Sequence, residues 1–197
     1  MRTTQYKDYT ITVQSEPRYT PGSADNLPYD KVIVLEKDIE AAKCLSLQIE
    51  KDGEVTSVIF IAPYCASVYD IIIPREDGLI LTLGSEICLF DIEKLEVIKS
   101  VDLHKSGWVG ECVPYQDDFI VHGELYIFRI SKDLEIVWEF GARDIWVRYQ
   151  GEEPAFEIKE DRICLYDFMD NYYELDFDGK LIKEELSPAQ QELMKKG

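Results

Sequence analysis

The side chains best suited to chemistry in this chain are its carboxylates. Doublets stand at Glu76-Asp77, Asp117-Asp118, Glu152-Glu153 and Glu160-Asp161. Two carboxylates held at a set separation can divide acid and base duties, as in glycoside hydrolysis. With 39 acidic residues among 197, however, composition alone produces such doublets, and none is assigned as catalytic. The two histidines, His104 and His122, lack the H-x-H or H-x-x-x-H spacing of a metal site and are expected at the surface or in turns. Cysteines at 44, 65, 88, 112 and 164 are odd in number and form no Cys-x-x-Cys pair, which argues against a disulfide framework or a zinc knuckle. Cys88 and Cys164 fall in apolar strand patterns and are expected as buried free thiols.

Other catalytic signatures are missing. The sequence contains no G-x-S-x-G elbow, no Walker A loop and no G-x-G-x-x-G. Asp167 to Asn171 places carboxylates at a turn but lacks the ligand spacing and closing Glu of an EF-hand. The reading is therefore no catalytic residue, no metal and no cofactor.

Aromatic residues carry the binding signal. Trp108 and Trp146 are 38 residues apart, Trp138 lies between them, and Tyr69 falls near the same joint one unit earlier. Repeated Trp and Tyr can be core plugs between sheets, or rim anchors that bury a large area on a partner at low entropic cost. On the second reading the binding residues are Trp108, Trp146 and Tyr69. Glu111 and Arg148 supply polar contacts, and Tyr172 and Tyr173 extend the surface from a hairpin tip.

The elements that must position these residues repeat. Glu86 to Ile92, Glu124 to Ile130 and Arg162 to Phe168 are similar seven-residue runs at 38-residue spacing. Each reads as one strand of a unit. In the first of these units, residues 69–73, 79–83, 86–92 and 95–103 predict four strands, broken at 74–78 and 84–85. Residues 108–113, 119–121, 125–130 and 134–140 repeat the order, with Pro74 and Pro114 at equivalent joints. A third unit spans 145–149, 155–159, 163–168, 172–177 and 181–185, with room for an extra hairpin. A looser unit occupies 31–61. Tyr6 to Val13 alternates and reads as a lone strand, free to complete the last unit. Ser187-Pro188-Ala189-Gln190 is a capping box that opens a short C-terminal helix.

Units of about 40 residues with four antiparallel strands resemble the blades of β-propellers. The resemblance covers residues 31–186. The chain lacks the Trp-Asp and Gly-His pairs of WD40 repeats and the Gly-Gly of Kelch repeats, so no functional residue is carried over. It implies an all-β fold of about four repeated antiparallel sheet units, a small or open β-propeller-like assembly with a short C-terminal helix. A β-sandwich is the alternative. The expected organisation is one domain over 1–197: an N-terminal strand and loop (1–30), the repeats (31–186) and the helix (187–197).

A net charge of −18 bears on partners. Nucleic acid and anionic membranes attract clustered Lys and Arg, so both are disfavoured. The carboxylates between residues 152 and 185 outnumber the bases twelve to four. That excess reads either as a solvated surface or as a face that attracts a basic partner; a protein partner is expected, with an acidic immunity-type inhibitor of a basic protein as one concrete form. No apolar run is long enough to span a bilayer and no signal-type stretch opens the chain, so a cytoplasmic location is expected. The leading functional reading is a non-enzymatic protein-binding module. The alternatives are a hydrolase or lyase acting on a sugar or small ligand in a central pocket, and a structural subunit of a larger assembly.

Overall fold

The computed structural model describes residues 2–38, 42–63, 72–148 and 153–196. The chain divides into two compact units, Met1–His104 and Lys105–Gly197. Each holds two sheets, so the fold is an all-β, propeller-like repeat of four sheets with one short C-terminal helix.

The first unit opens on a hairpin, β1 (Arg2–Tyr6) and β2 (Tyr9–Ser15), where the sequence suggested a single strand. β3 (Lys31–Val34) follows, then β4 (Ala42–Lys51) and β5 (Glu54–Pro63). The sheet order is β1-β2-β4-β5-β3. Its antiparallel meander is β1-β2-β4-β5, and β3 adds a parallel outer strand, Val32 opposite Ile59. Because β2 pairs with β1 on one side and β4 on the other, the N-terminal strand completes the first sheet and not the last. The second sheet is a plain meander: β6 (Ile72–Arg75), β7 (Gly78–Leu83), β8 (Glu86–Asp91) and β9 (Glu96–Asp102).

Period-2 alternation builds the core of this unit. Leu45, Leu47 and Ile49 on β4, with Val58 and Phe60 on β5, face Leu79, Leu81 and Leu83 on β7 and Cys88 and Phe90 on β8. Phe60 and Phe90 meet edge to face at 5.4 Å. On the other face of the first sheet, Cys44, Ile59 and Ile61 are covered by Tyr19 and Tyr29 from the β2–β3 loop. Gly84 is required where it stands. Its φ is +72°, and a Cβ there would run into the carbonyl oxygen of Pro63.

The second unit contains β10 (Val109–Tyr115), β11 (Asp118–Gly123), β12 (Tyr126–Ile130) and β13 (Ile136–Gly141) as one meander. The other is β14 (Phe156–Ile158), β15 (Ile163–Tyr166), β16 (Tyr172–Leu175) and β17 (Leu181–Glu185). Residues 145–148 are irregular and do not form the strand expected there. The turn at Met169 to Asn171 is the ordinary β15–β16 connection, so this sheet has no extra hairpin. The core joins Ile120 and Ile127 to Phe156, Leu165, Tyr173 and Leu175 around Trp146.

The repeat register differs from the 38-residue spacing. Each of β8, β12 and β16 carries a bulge against the last strand of its sheet, at Leu89/Phe90, Arg129/Ile130 and Glu174/Leu175. These mark the equivalent third strands, 40 and then 45 residues apart by their numbers. The run at 162–168 belongs to β15, a second strand. Pro74 and Pro114 obey the 40-residue step but do not break their strands. Each lies within an edge strand, opposite Leu79 and Phe119, where a missing N–H leaves no ladder bond unmade.

The C-terminal helix α1 (Pro188–Lys196) starts as its sequence predicts, with the Gln190 amide donating to Ser187 Oγ at 3.1 Å. The reciprocal half of the capping box is replaced: the Ser187 amide donates to Asn171 Oδ1 at 2.9 Å. No described helix is long and apolar enough to cross a membrane.

Candidate functional site

In the second unit, the expected aromatic residues divide between core and surface. The Trp146 ring is fully buried, 5.4 Å from Tyr173 in an edge-to-face pair and 6.0 Å from Phe140. Tyr173 is equally enclosed, and its hydroxyl donates to Asp167 Oδ2 at 3.0 Å. Asp167 also accepts from the amides of Met169 and Asn171 and from Asn171 Nδ2. Burial, then the hydrogen bond to Asp167, raises the Tyr173 pKa above its ordinary value. Trp146 is therefore an interior plug, and Tyr173, expected to extend a surface from a hairpin tip, is buried beside it because its ring packs into the core of the second unit.

Trp108 is half-buried immediately before β10 and does not occupy a place equivalent to Trp146, which lies ten residues ahead of β14. Its ring meets His122 edge-on at 5.7 Å. His122 is only 5% exposed, contrary to the surface or turn position its sequence context suggested. The ring stacks on Phe156 at 5.0 Å, and Nε2 faces the Trp146 carbonyl oxygen at 3.1 Å. A carbonyl accepts only, so Nε2 carries the proton. Nδ1 then faces Glu111 Oε1 at 3.8 Å, beyond hydrogen-bond reach.

Arg148 and Tyr172 converge on Tyr166. The Arg148 guanidinium lies 3.9 Å over the Tyr166 ring and pairs with Asp170 at 2.8 Å and Glu153 at 2.9 Å. Tyr172 packs its ring 4.9 Å from Tyr166 and donates to Glu174 Oε1 at 2.8 Å. That bond, with the Arg162 pair at 2.6 Å, holds the Glu174 carboxyl below its ordinary range against the opposing effect of burial. Seven residues were proposed as one surface. The structure makes three groups of six of them, Trp146–Tyr173, Trp108–Glu111 through His122, and Arg148–Tyr172 through Tyr166. Tyr69 lies outside the described residues.

The first unit holds the more open feature. A cavity of about 430 Å³ lies where hairpin ends of its two sheets approach. Tyr9 at the head of β2 forms a wall, with Ile49, Ile92 and Leu95 as apolar lining. Lys51, Asp52, Glu54 and Glu93 supply its charged groups. Asp52 (φ 53°) and Gly53 (φ 84°) make the two-residue turn that joins β4 to β5, with Lys51 and Glu54 on either side of it, whereas Glu93 comes from the connection between β8 and β9. A smaller hollow of about 120 Å³ adjoins it through the shared Ile92 and Glu93 and is lined by Tyr6, Lys7, Glu76 and Asp91.

The β1–β2 hairpin repeats one device in both hollows. Lys7 Nζ lies 4.9 Å from the Tyr6 ring centroid and Lys51 Nζ lies 4.6 Å from that of Tyr9, with the two rings stacked at 6.4 Å. The hydrogen bond to Tyr6, then the nearby Glu93 and Glu76, raises the Lys7 pKa. Three nearby carboxylates are paired: Asp8 with Lys51 at 2.6 Å, Asp77 with Arg75 at 2.8 Å and Asp91 with Lys94 at 3.0 Å. Among the described residues, Asp52, Glu54, Glu76 and Glu93 make no ion pair. Sequence reading missed this site because it took Tyr6 to Val13 as one strand and the acidic doublets as composition. The usable signal was Tyr6-Lys7-Asp8-Tyr9, a turn-forming pair between two aromatics.

No family model matches the chain, and no curated protein matches it. Solved structures resemble it at low identity. The AfRom2 CNH domain aligns over 91% of this chain and 51% of its own, at 8% identity and a TM-score of 0.47. BamB from Moraxella catarrhalis aligns over 81% and 50%, at 12% identity and 0.46. Hsv2 from Kluyvelomyces marxianus aligns over 70% and 46%, at 9% identity and 0.40. The chain thus spans about half the length of these proteins, and at these identities no function passes from them.

Proposed function

We propose that this chain is a non-enzymatic protein-binding module that receives a basic protein partner at the hairpin end of its first unit, in the manner of an acidic immunity-type inhibitor. One observation carries the reading: Asp52, Glu54, Glu76 and Glu93 gather around two adjoining hollows without ion-pair partners among the described residues. Unpaired carboxylates on a chain of net charge −18 raise the local concentration of cationic surfaces and speed their encounter.

The test begins with capture of a partner from the native host by the full chain. Association rates of the purified pair are then followed across a salt series. Neutralising all four residues (Asp52→Asn, Glu54→Gln, Glu76→Gln, Glu93→Gln) should slow association by about tenfold at low salt and flatten the salt dependence. A partner whose association is indifferent to both salt and the four substitutions would refute this reading. A hydrolase or lyase remains the second reading, because the larger cavity draws carboxylates from two sheets. It predicts turnover of a glycoside panel that Glu93→Gln abolishes.

A further inference from the structure

We infer that the larger cavity is a receptor for a lysine side chain of the protein partner, and that Lys51 is its built-in stand-in. The inference rests on the basic-partner reading and adds the chemical group recognised. The cavity volume of about 430 Å³ falls in the range of roughly 300–1,000 Å³ usual for ligand sites. Its lining offers both kinds of group that an alkylammonium needs. Ile49, Ile92 and Leu95 suit a methylene stem, and the Tyr9 ring suits a cation on its face. Among the described residues Asp52, Glu54 and Glu93 make no ion pair, and with Thr56 they add to the polar lining.

An anion fits poorly. The cation in the lining, Lys51, pairs with Asp8 at 2.6 Å and also donates to the Tyr9 hydroxyl at 3.5 Å, and an incoming anion would meet the carboxylates of Asp52, Glu54 and Glu93. Lys51 instead shows the pose an ammonium takes here, 4.6 Å from the Tyr9 centroid. Its side chain and that of Asp8 are 40% and 57% exposed. Such exposed pairs are weak and are readily exchanged. A partner lysine can displace Lys51 from Asp8 and Tyr9 while its stem covers the apolar lining.

This gives a sign that separates a stand-in from an ordinary binding lysine. The full chain is titrated with Nα-acetyl-lysine amide and followed by NMR. Saturable shifts are expected at Tyr9, Ile92 and Leu95, and Nα-acetyl-norleucine amide, which lacks the ammonium, should produce none. Lys51→Gln should tighten binding by about threefold or more by removing the competitor, and Tyr9→Leu should weaken it by about threefold. Weaker binding in Lys51→Gln, equal binding of the norleucine analogue, or no saturable shift in the wild type each overturns the inference. The surface variant Lys51→Gln decides the matter even if Tyr9→Leu disturbs the hairpin. If the lysine amide fails while the captured partner still depends on the four carboxylates, the pocket assignment falls and the basic-partner reading stands. If the amide binds while the partner ignores those charges, the reverse holds.

Discussion

Asp167 shows how a residue that looks functional in sequence can be structural in three dimensions. Its carboxylate is fully buried and accepts four hydrogen bonds, from the amides of Met169 and Asn171, Asn171 Nδ2 and the Tyr173 hydroxyl. Asn171 in turn accepts from the Ser187 amide at the head of α1. The network closes a turn and ties it to the helix start. Asp167→Ala leaves several buried donors without an acceptor, and should lower unfolding stability by about 3 kcal/mol or more, measured by urea denaturation. Trp146→Ala removes the largest core side chain of its unit and should cost about 3–5 kcal/mol without slowing association with a basic partner. The chemical identity of both residues was legible in the sequence. Their burial was not, because one strand pattern serves equally for an inward or an outward face until the neighbouring sheet is known.

At the scale of elements, alternation is also why the spacing was misread. The 38-residue alignment is two residues short of the 40-residue step marked by the bulges at Leu89 and Arg129. A shift of two preserves every inward and outward assignment, so the pattern cannot detect it. The next step, from Arg129 to Glu174, is 45 residues because the connection from β13 to β14, residues 142–155, is longer than that from β9 to β10, residues 103–108. Hence Trp108 and Trp146 matched in sequence but not in place. Turn chemistry fixes these elements more firmly than spacing does. Gly179 has a φ of +80°, and a Cβ there would meet the Trp138 ring at 2.6 Å. Trp138 Nε1 and Arg129 Nη1 both donate to the Phe177 carbonyl, at 3.0 and 3.1 Å, so the crowded turn joins two sheets. Gly179→Ala should lower the melting temperature by several degrees, an effect of about 1–2 kcal/mol read by calorimetry.

Acid should loosen particular elements first. Hydrogen bonds from Ser57 hold Asp30 below its ordinary range, those from the Lys94 amide do the same for Asp91, and Tyr172 and then Arg162 do so for Glu174. A carboxyl depressed in the folded state contributes stability above its unfolded pKa and loses it as pH falls through the folded value. The melting temperature should therefore be flat near neutrality and fall below about pH 4.5, where unfolded carboxyls begin to take up protons. Glu174→Gln should flatten part of that fall.

For the whole molecule, strand content, sheet count and the C-terminal helix were readable from apolar runs and turn residues. The completion of the first sheet by the β1–β2 hairpin was not, since it depends on the pairing of β2 with the distant β4. Thiol chemistry offers a check on how closed the units are. Cys44, Cys88, Cys112 and Cys164 are all buried, and burial pushes the Cys112 thiol up to about 12. In a Cys65→Ser variant, native protein should resist a thiol reagent and should label at four sites once unfolded.

The central claim concerns where a basic partner docks. Carboxyl footprinting by mass spectrometry, comparing the full chain alone with its complex with the captured partner, addresses it directly. The account predicts protection of Asp52, Glu54, Glu76 and Glu93, with the carboxylates around Arg148 and Tyr172 labelling as in the free chain. Protection confined to Glu153, Asp170 and Glu174, with the first-unit carboxylates unchanged, would contradict it.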